Sequence, residues 1–292
     1  MFLRILGGGI VFILFAVLGT LSVVTLTKTS DADKRLYVAE KTLKDHEKEL
    51  KRLHEEILAF EKKMKGGGSD SKSVQWGYDG ELGPDKWGNN YATCGNGKAQ
   101  APLNIAGPFE KSAVVLKTEY KPGVLRIVND GRGVQVNVPP GNILKVGAES
   151  YELQHVTLHR PSQEQVDGKP AAMGLHLVHK NANGKVVVLA VMMRESAAQN
   201  RALWSIWKNM PTKAGPEVTV SSVSVNPTNL LPESMAHYAY EGSLTAPPCT
   251  EGVQYFVMKT PIGIQKEMLD KFPIKMNARP VQPLNDRKIS AS

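Results

Sequence analysis

The stretch Tyr151-Glu152-Leu153-Gln154-His155-Val156-Thr157-Leu158-His159-Arg160-Pro161-Ser162-Gln163-Glu164, followed after a polar loop containing Gly168 by Met173-Gly174-Leu175-His176-Leu177-Val178-His179, decides the fold. It reads as two strands with four histidines across them. Residues two apart on a strand share a face. His155, Thr157 and His159 therefore point one way, and Val156 and Leu158 the other. On the second strand His176 and Val178 share one face, Leu177 and His179 the opposite one. Histidines alternating on neighbouring strands are the raw material of a zinc site.

Outward from this pair, short β-branched runs are separated by Gly, Pro and Asn clusters. They are Val114–Leu116, Val124–Val128, Val134–Val138, Leu144–Val146, Val186–Met193, Val218–Val223 and Val253–Met258. The pattern predicts a mostly β domain of about ten strands over 74–292. Only Glu195 to Trp207 reads as a helix of any length.

The first 73 residues have a different texture. Ile5 to Leu26 carries no charge and is long enough to span a bilayer as a helix. Its short n-region, long apolar run and lack of an A-x-A site favour an uncleaved anchor, residues 1–28, over a signal peptide. From Leu36 the period becomes seven. Leu36, Leu43, Leu50, Ile57 and Met64 form one row; Ala39, His46, Leu53 and Phe60 form a second, offset by three. This is a coiled-coil seam over 31–65, with His46 as a weak point. Parallel self-association through Leu36–Met64 is expected, on a stalk of roughly 45 Å. Residues 66–73, opening Gly66-Gly67-Gly68-Ser69, read as a flexible linker.

The chain has 292 residues, 41% of them hydrophobic, and a net charge of +8. That is enough for one well-buried domain with appendages. The lysines are dispersed and no basic run is interleaved with aromatics, so nucleic acid is not expected as a partner. The two cysteines, Cys94 and Cys249, are either buried thiols or a single bridge.

Four longer motifs occur in order: Trp76-Gly77-Tyr78 with Gly83-Pro84 and Trp87-Gly88; Gln100-Ala101-Pro102-Leu103-Asn104-Ile105; Gly242-Ser243-Leu244-Thr245-Ala246-Pro247-Pro248-Cys249; and Asn277-Ala278-Arg279-Pro280-Val281-Gln282-Pro283-Leu284. Through them the region from about Val74 to Ile289 resembles the α-class carbonic anhydrases, particularly the bacterial secreted type. The resemblance implies a large, twisted, mostly antiparallel sheet. It also implies a cleft whose floor holds zinc on three histidines, with water in the fourth position activated toward carbon dioxide.

Carried over residue by residue, two of those histidines match His159 and His176, and the first falls on Thr157. A threonine hydroxyl is a poor zinc ligand. The carboxylate that orients the hydroxide-holding threonine is Gln163, and that threonine is Thr245. The carboxylate two residues before the third histidine is Gly174. Ala246 replaces a second threonine, and Arg132 stands at the proton-shuttle position, where arginine cannot exchange protons near neutral pH. His155 lies four residues from His159, roughly 13 Å along a strand, so it would reach the lost position only through a β-bulge. His179 reads as a core histidine, and His237 as a structural one in a loop. The resemblance also implies a Cys94–Cys249 bridge, and with it an oxidising compartment.

The positive charges after the apolar segment, Lys28, Lys34 and Arg35, would by themselves leave the C-terminal side in the cytoplasm. The cysteines argue the reverse: N-terminus cytoplasmic, domain periplasmic or extracellular. The expectation is an inactive carbonic-anhydrase-like subunit of an envelope or other membrane complex, with no metal expected at Thr157, His159 and His176 and no cofactor. The alternative is a zinc-dependent carbonate dehydratase with a non-standard metal site on His159, His176 and His155. A third possibility is an unrelated ligand such as a glycan, contacted by Arg132, Arg160 and Gln163.

Overall fold

The structure of the protein, a computed structural model, describes residues 41–52, 75–198 and 200–292. The chain divides into two compact units, Met1–Lys72 and Ser73–Ser292. In the first, residues 41–52 are helical with every side chain exposed, Leu43 and Leu50 by 62% and 45%. The anchor expected over 1–28, most of the stalk and the linker at 66–73 lie outside the described residues. Among those described, no helix is long and apolar enough to cross a membrane.

The second unit is built from strands. β1 (Asn104–Ile105), β2 (Glu110–Lys111) and β3 (Leu116–Glu119) lead into β4 (Gly123–Asn129), β5 (Val134–Asn137), β6 (Ile143–Val146) and β7 (Glu149–His159). After β8 (Gln165–Val166) and β9 (Lys169–Pro170) come β10 (Met173–Lys180), β11 (Val186–Glu195) and β12 (Val218–Val225). The chain closes with β13 (His237–Ser243), β14 (Glu251–Met258), β15 (Ile262–Ile264) and β16 (Ser290–Ala291). The main sheet runs β12-β4-β5-β7-β10-β11-β14-β13-β16-β2, and β1, β8 and β9 form a small second sheet. Most pairs are antiparallel; β11 pairs parallel with β14 and β15.

Among the described residues sixteen strands replace the ten or so expected. Most of the surplus is two- or three-residue pieces below the reach of pattern reading. One is not: β13 begins at His237, which corrects the loop placement of that histidine. Val114 and Val115 precede β3 and are exposed. The expected helix Glu195–Trp207 shrinks to Arg201–Lys208. Glu195 closes β11, and the Asn200 side chain caps the helix by accepting from the N–H groups of Ala202 and Leu203.

The sheet separates two apolar layers. β7 and β10 place Val156, Leu158, Leu175 and Leu177 in the larger core. β11 is buried on both faces and reads as an unbroken apolar run. Its Leu189 and Val191 join that core, while Val188 and Ala190 join a second cluster on the opposite face with Tyr240 and Tyr255. His155 and His159 of β7 and His176 of β10 stand on this second face.

Candidate metal centre

β7 and β10 pair in continuous register from Gly174↔His159 to Val178↔His155, with His176 opposite Thr157. The register shifts only at Val178/His179, so the extra residue on β7 is Gln154. This bulge lies before His155 and leaves it two positions from Thr157. His155 therefore lines the cleft without filling the lost ligand position.

The cleft has a volume of about 380 Å³, with Thr157, His159, His176 and Thr245 among its lining residues. His159 is buried. Its Nδ1 lies 3.2 Å from the Asn277 carbonyl oxygen and also 3.2 Å from Gln163 Nε2. The Asn277 carbonyl accepts from Nδ1 when that nitrogen carries the hydrogen, and the Gln163 NH2 donates to it when Nε2 does, so each tautomer has a partner. On its other side Nε2 is hydrogen-bonded to Thr157 Oγ1 at 2.9 Å. Burial, and then the nearby His176, push the pKa of His159 down to about 3.

His176 is also buried. Its Nε2 faces both carboxylate oxygens of Glu164, at 3.0 and 3.1 Å. Glu164 Oε1 also accepts from the Tyr240 hydroxyl at 3.3 Å. This corrects the sequence reading, in which Gly174 left the histidine without a carboxylate partner. Glu164 supplies one from the segment before β8. A Cβ at Gly174 would stand 3.2 Å from Cα and Cβ of Ser162, so the bare glycine gives that segment room.

Gln163 keeps the connections expected of a carboxylate but changes their sense. Its Oε1 accepts from the Arg279 N–H at 2.9 Å, and its Nε2 donates to Thr245 Oγ1 at 3.1 Å. It lies behind Thr245, outside the lining of the cleft. Arg160 is also outside: its Nη1 donates to the Leu269 carbonyl at 2.6 Å. Arg132 does line the cleft, stacked 4.3 Å over Trp76 and paired with Asp130 at 3.1 Å. His179 is fully buried on the opposite face, with Nε2 2.6 Å from the Tyr120 hydroxyl.

Cys94 and Cys249 form a disulfide with a Cα–Cα distance of 5.1 Å. It packs with Trp87, whose indole N–H donates to the carbonyls of Gly77 and Leu82. Arg279 donates from its guanidinium to Gln100 Oε1 and to the carbonyls of Ala101 and Cys94. Asn277 clamps the end of β7 through the Leu158 carbonyl and the Arg160 N–H. Both residues stood in a motif of the sequence, but their link to His159 and Gln163 emerges only from the fold.

A family model for eukaryotic-type carbonic anhydrase matches residues 82–292. The chain belongs to the carbonic anhydrase family. A carbonic anhydrase of Nostoc sp. is 37% identical over 229 residues, covering 75% of this chain and 86% of that protein. The α-carbonic anhydrase of Thermovibrio ammonificans, solved with the inhibitor sulfanilamide, superposes with a TM-score of 0.71 at 35% identity; the match covers 74% of this chain and 98% of that one. Dioscorin, solved in complex with ascorbate, gives a TM-score of 0.68 at 27% identity, covering 74% and 97%.

The family's zinc requires three imidazoles on one tetrahedral site. Here two stand at those positions, and the metal-facing nitrogen of His159 is taken by the Thr157 hydroxyl. Among the described residues, no group of three or more His, Cys, Asp or Glu side chains is placed to hold a metal ion. The donor set of this cleft does not fit the family's zinc.

Proposed function

We propose that this domain is a non-catalytic carbonic-anhydrase-like module, working as a structural or binding subunit of an envelope or membrane complex. The observation that carries the reading is the 2.9 Å contact of Thr157 Oγ1 with His159 Nε2. It replaces one ligand and engages a second. Gln163 and Arg132 support it, since neither a proton-accepting partner for Thr245 nor a neutral-pH proton shuttle stands at those positions. The solved complex of dioscorin with ascorbate supports a small organic ligand as a use of the same fold.

The uncharged segment Ile5–Leu26 supports a single-pass anchor, with the N-terminus cytoplasmic and the domain periplasmic or extracellular. The disulfide agrees with an oxidising compartment. The heptad rows support parallel self-association through Leu36–Met64.

One observation favours carbonate dehydratase activity on a non-standard metal site: Glu164 gives His176 the carboxylate partner that zinc-binding histidines usually have. Carbon dioxide hydration by the purified full-length chain, paired with metal analysis, separates the two readings. The module reading expects hydration no faster than a zinc-free control. Stoichiometric zinc and fast hydration, both lost in His176→Ala, would overturn it.

A further inference from the structure

Hydrogen bonds made within the protein fix what the cleft floor offers a ligand. Arg279 N–H identifies the oxygen of the Gln163 amide, so the NH2 end faces Thr245 Oγ1. Thr245 thus accepts from Gln163, and its own hydrogen has no protein acceptor among the described residues. A carboxylate at position 163 would take that hydrogen. The amide instead leaves it for the cavity that Thr245 lines. His176 commits Nε2 to Glu164, and no protein group among the described residues bonds its Nδ1. Thr157, opposite His176 in the sheet, is hydrogen-bonded to His159 and keeps a lone pair free whichever of the two donates. The floor combines a hydroxyl donor at Thr245 with acceptor capacity at Thr157.

Charge narrows the class of ligand. The carboxyl of Glu164 behind His176 means that pair adds no net positive charge. Arg132 at the cleft wall is already paired with Asp130. An anion would lose its hydration here with no compensating charge. A metal cation would meet a hydroxyl hydrogen and a capped imidazole. A ligand hydroxyl both donates and accepts, so it suits Thr245, Thr157 and His176 Nδ1. Trp76 and Tyr78 add aromatic surface to a cavity of about 380 Å³, a size suited to a small organic molecule.

We infer that the cleft binds a neutral, hydroxyl-bearing small molecule of the sugar or polyol class, held at its floor by the hydroxyl of Thr245. This rests on the non-catalytic reading above and gives that module a ligand class.

The test uses the full-length chain. Saturation-transfer NMR and tryptophan fluorescence follow a panel of glucose, galactose, N-acetylglucosamine and mannitol. Thiocyanate and acetate serve as anion probes, and zinc chloride as the metal probe. At least one neutral member binds, and the anions and zinc do not displace it. Thr245→Val weakens binding about tenfold, the worth of one hydrogen bond, and Thr245→Ser retains it. Gln163→Glu, which reclaims the Thr245 hydrogen, weakens it similarly. Failure of every sugar and polyol to bind, or equal affinity of wild type, Thr245→Val and Gln163→Glu, overturns the assignment. Carbon dioxide hydration measured on the same preparation keeps the two readings apart: loss of the ligand class without hydration leaves the module reading standing.

Discussion

Glu164 and His176 meet between segments that the sheet does not pair: both carboxylate oxygens lie within 3.1 Å of Nε2. Gly174, on the same strand as His176, gives up its side chain, and the Ser162–Glu164 segment packs against the bare backbone. The two positions act as one exchange, a carboxyl moved from one segment to another. Glu164→Ala leaves buried donors on His176 and Tyr240 unpartnered, so it should cost about 1–3 kcal/mol. Glu164→Gln, which keeps an acceptor oxygen, should cost less. Urea denaturation of the two variants checks this; equal losses would mean that the contact contributes little.

Thr157→His tests how far the cleft stands from a metal site. The substitution removes the hydroxyl that caps His159 Nε2 and restores a third imidazole, while Glu164 already supports His176. Zinc by elemental analysis should rise toward one per chain from a low wild-type value. Hydration of carbon dioxide should stay far below that of an active relative, because Gln163 still holds Thr245 in the donor sense. The double variant Thr157→His/Gln163→Glu should exceed the single one in hydration. High activity from Thr157→His alone would remove Gln163 from the account.

Acid stability follows from the buried histidines. Burial pushes the pKa of His179 from 6.5 down to about 3. Between those values the unfolded chain binds a proton that the folded chain refuses. Stability is therefore full above about pH 6.5 and falls as pH drops toward 3, with a slope of up to about 1.4 kcal/mol per pH unit for each such histidine. His159, also near 3, adds a second. Denaturation midpoints measured from pH 7 to 4 should fall less steeply in His179→Gln, and identical slopes would contradict the assignment.

The disulfide joins segments 155 residues apart and lies beside the guanidinium of Arg279, which holds the Cys94 carbonyl. Closing so long a loop typically contributes about 3–5 kcal/mol. Cys94→Ser, or reduction of the wild type, should lower stability by that order. Arg279 ties the bridge to Gln163, so the cleft should lose ligand affinity as well. Denaturation in the presence and absence of reductant measures the first effect directly.

Period-two alternation made β7 and β10 legible, because each buries one face and lines the cleft with the other. The same logic failed for β13. Its residues His237-Tyr238-Ala239-Tyr240-Glu241-Gly242-Ser243 contain no β-branched side chain, and pairing with β14 makes them a strand. Glu164 was hidden for a different reason. A charge between two glutamines reads as a solvated loop, and only the closed fold shows it 2% exposed against His176. The sense of the Gln163 hydrogen bonds likewise needed Arg279, more than a hundred residues away in sequence, to be set.

The stalk gives the last prediction. In the described helical stretch Leu43 and Leu50 are seven residues apart on one face and largely exposed. Apolar side chains repeated at this spacing are covered when a second helix supplies the holes into which they pack. A chain from Asp31 onward should therefore self-associate in light scattering, and one from Ser69 onward should be monomeric. Leu43→Lys/Leu50→Lys should shift the longer chain toward the monomer, since two charges at the seam leave its helices without a shared apolar face. His46 lies at the offset row of the same seam, where a polar imidazole packs less well than an apolar knob, so His46→Leu should strengthen association. Equal masses for the two chains would overturn the coiled-coil reading.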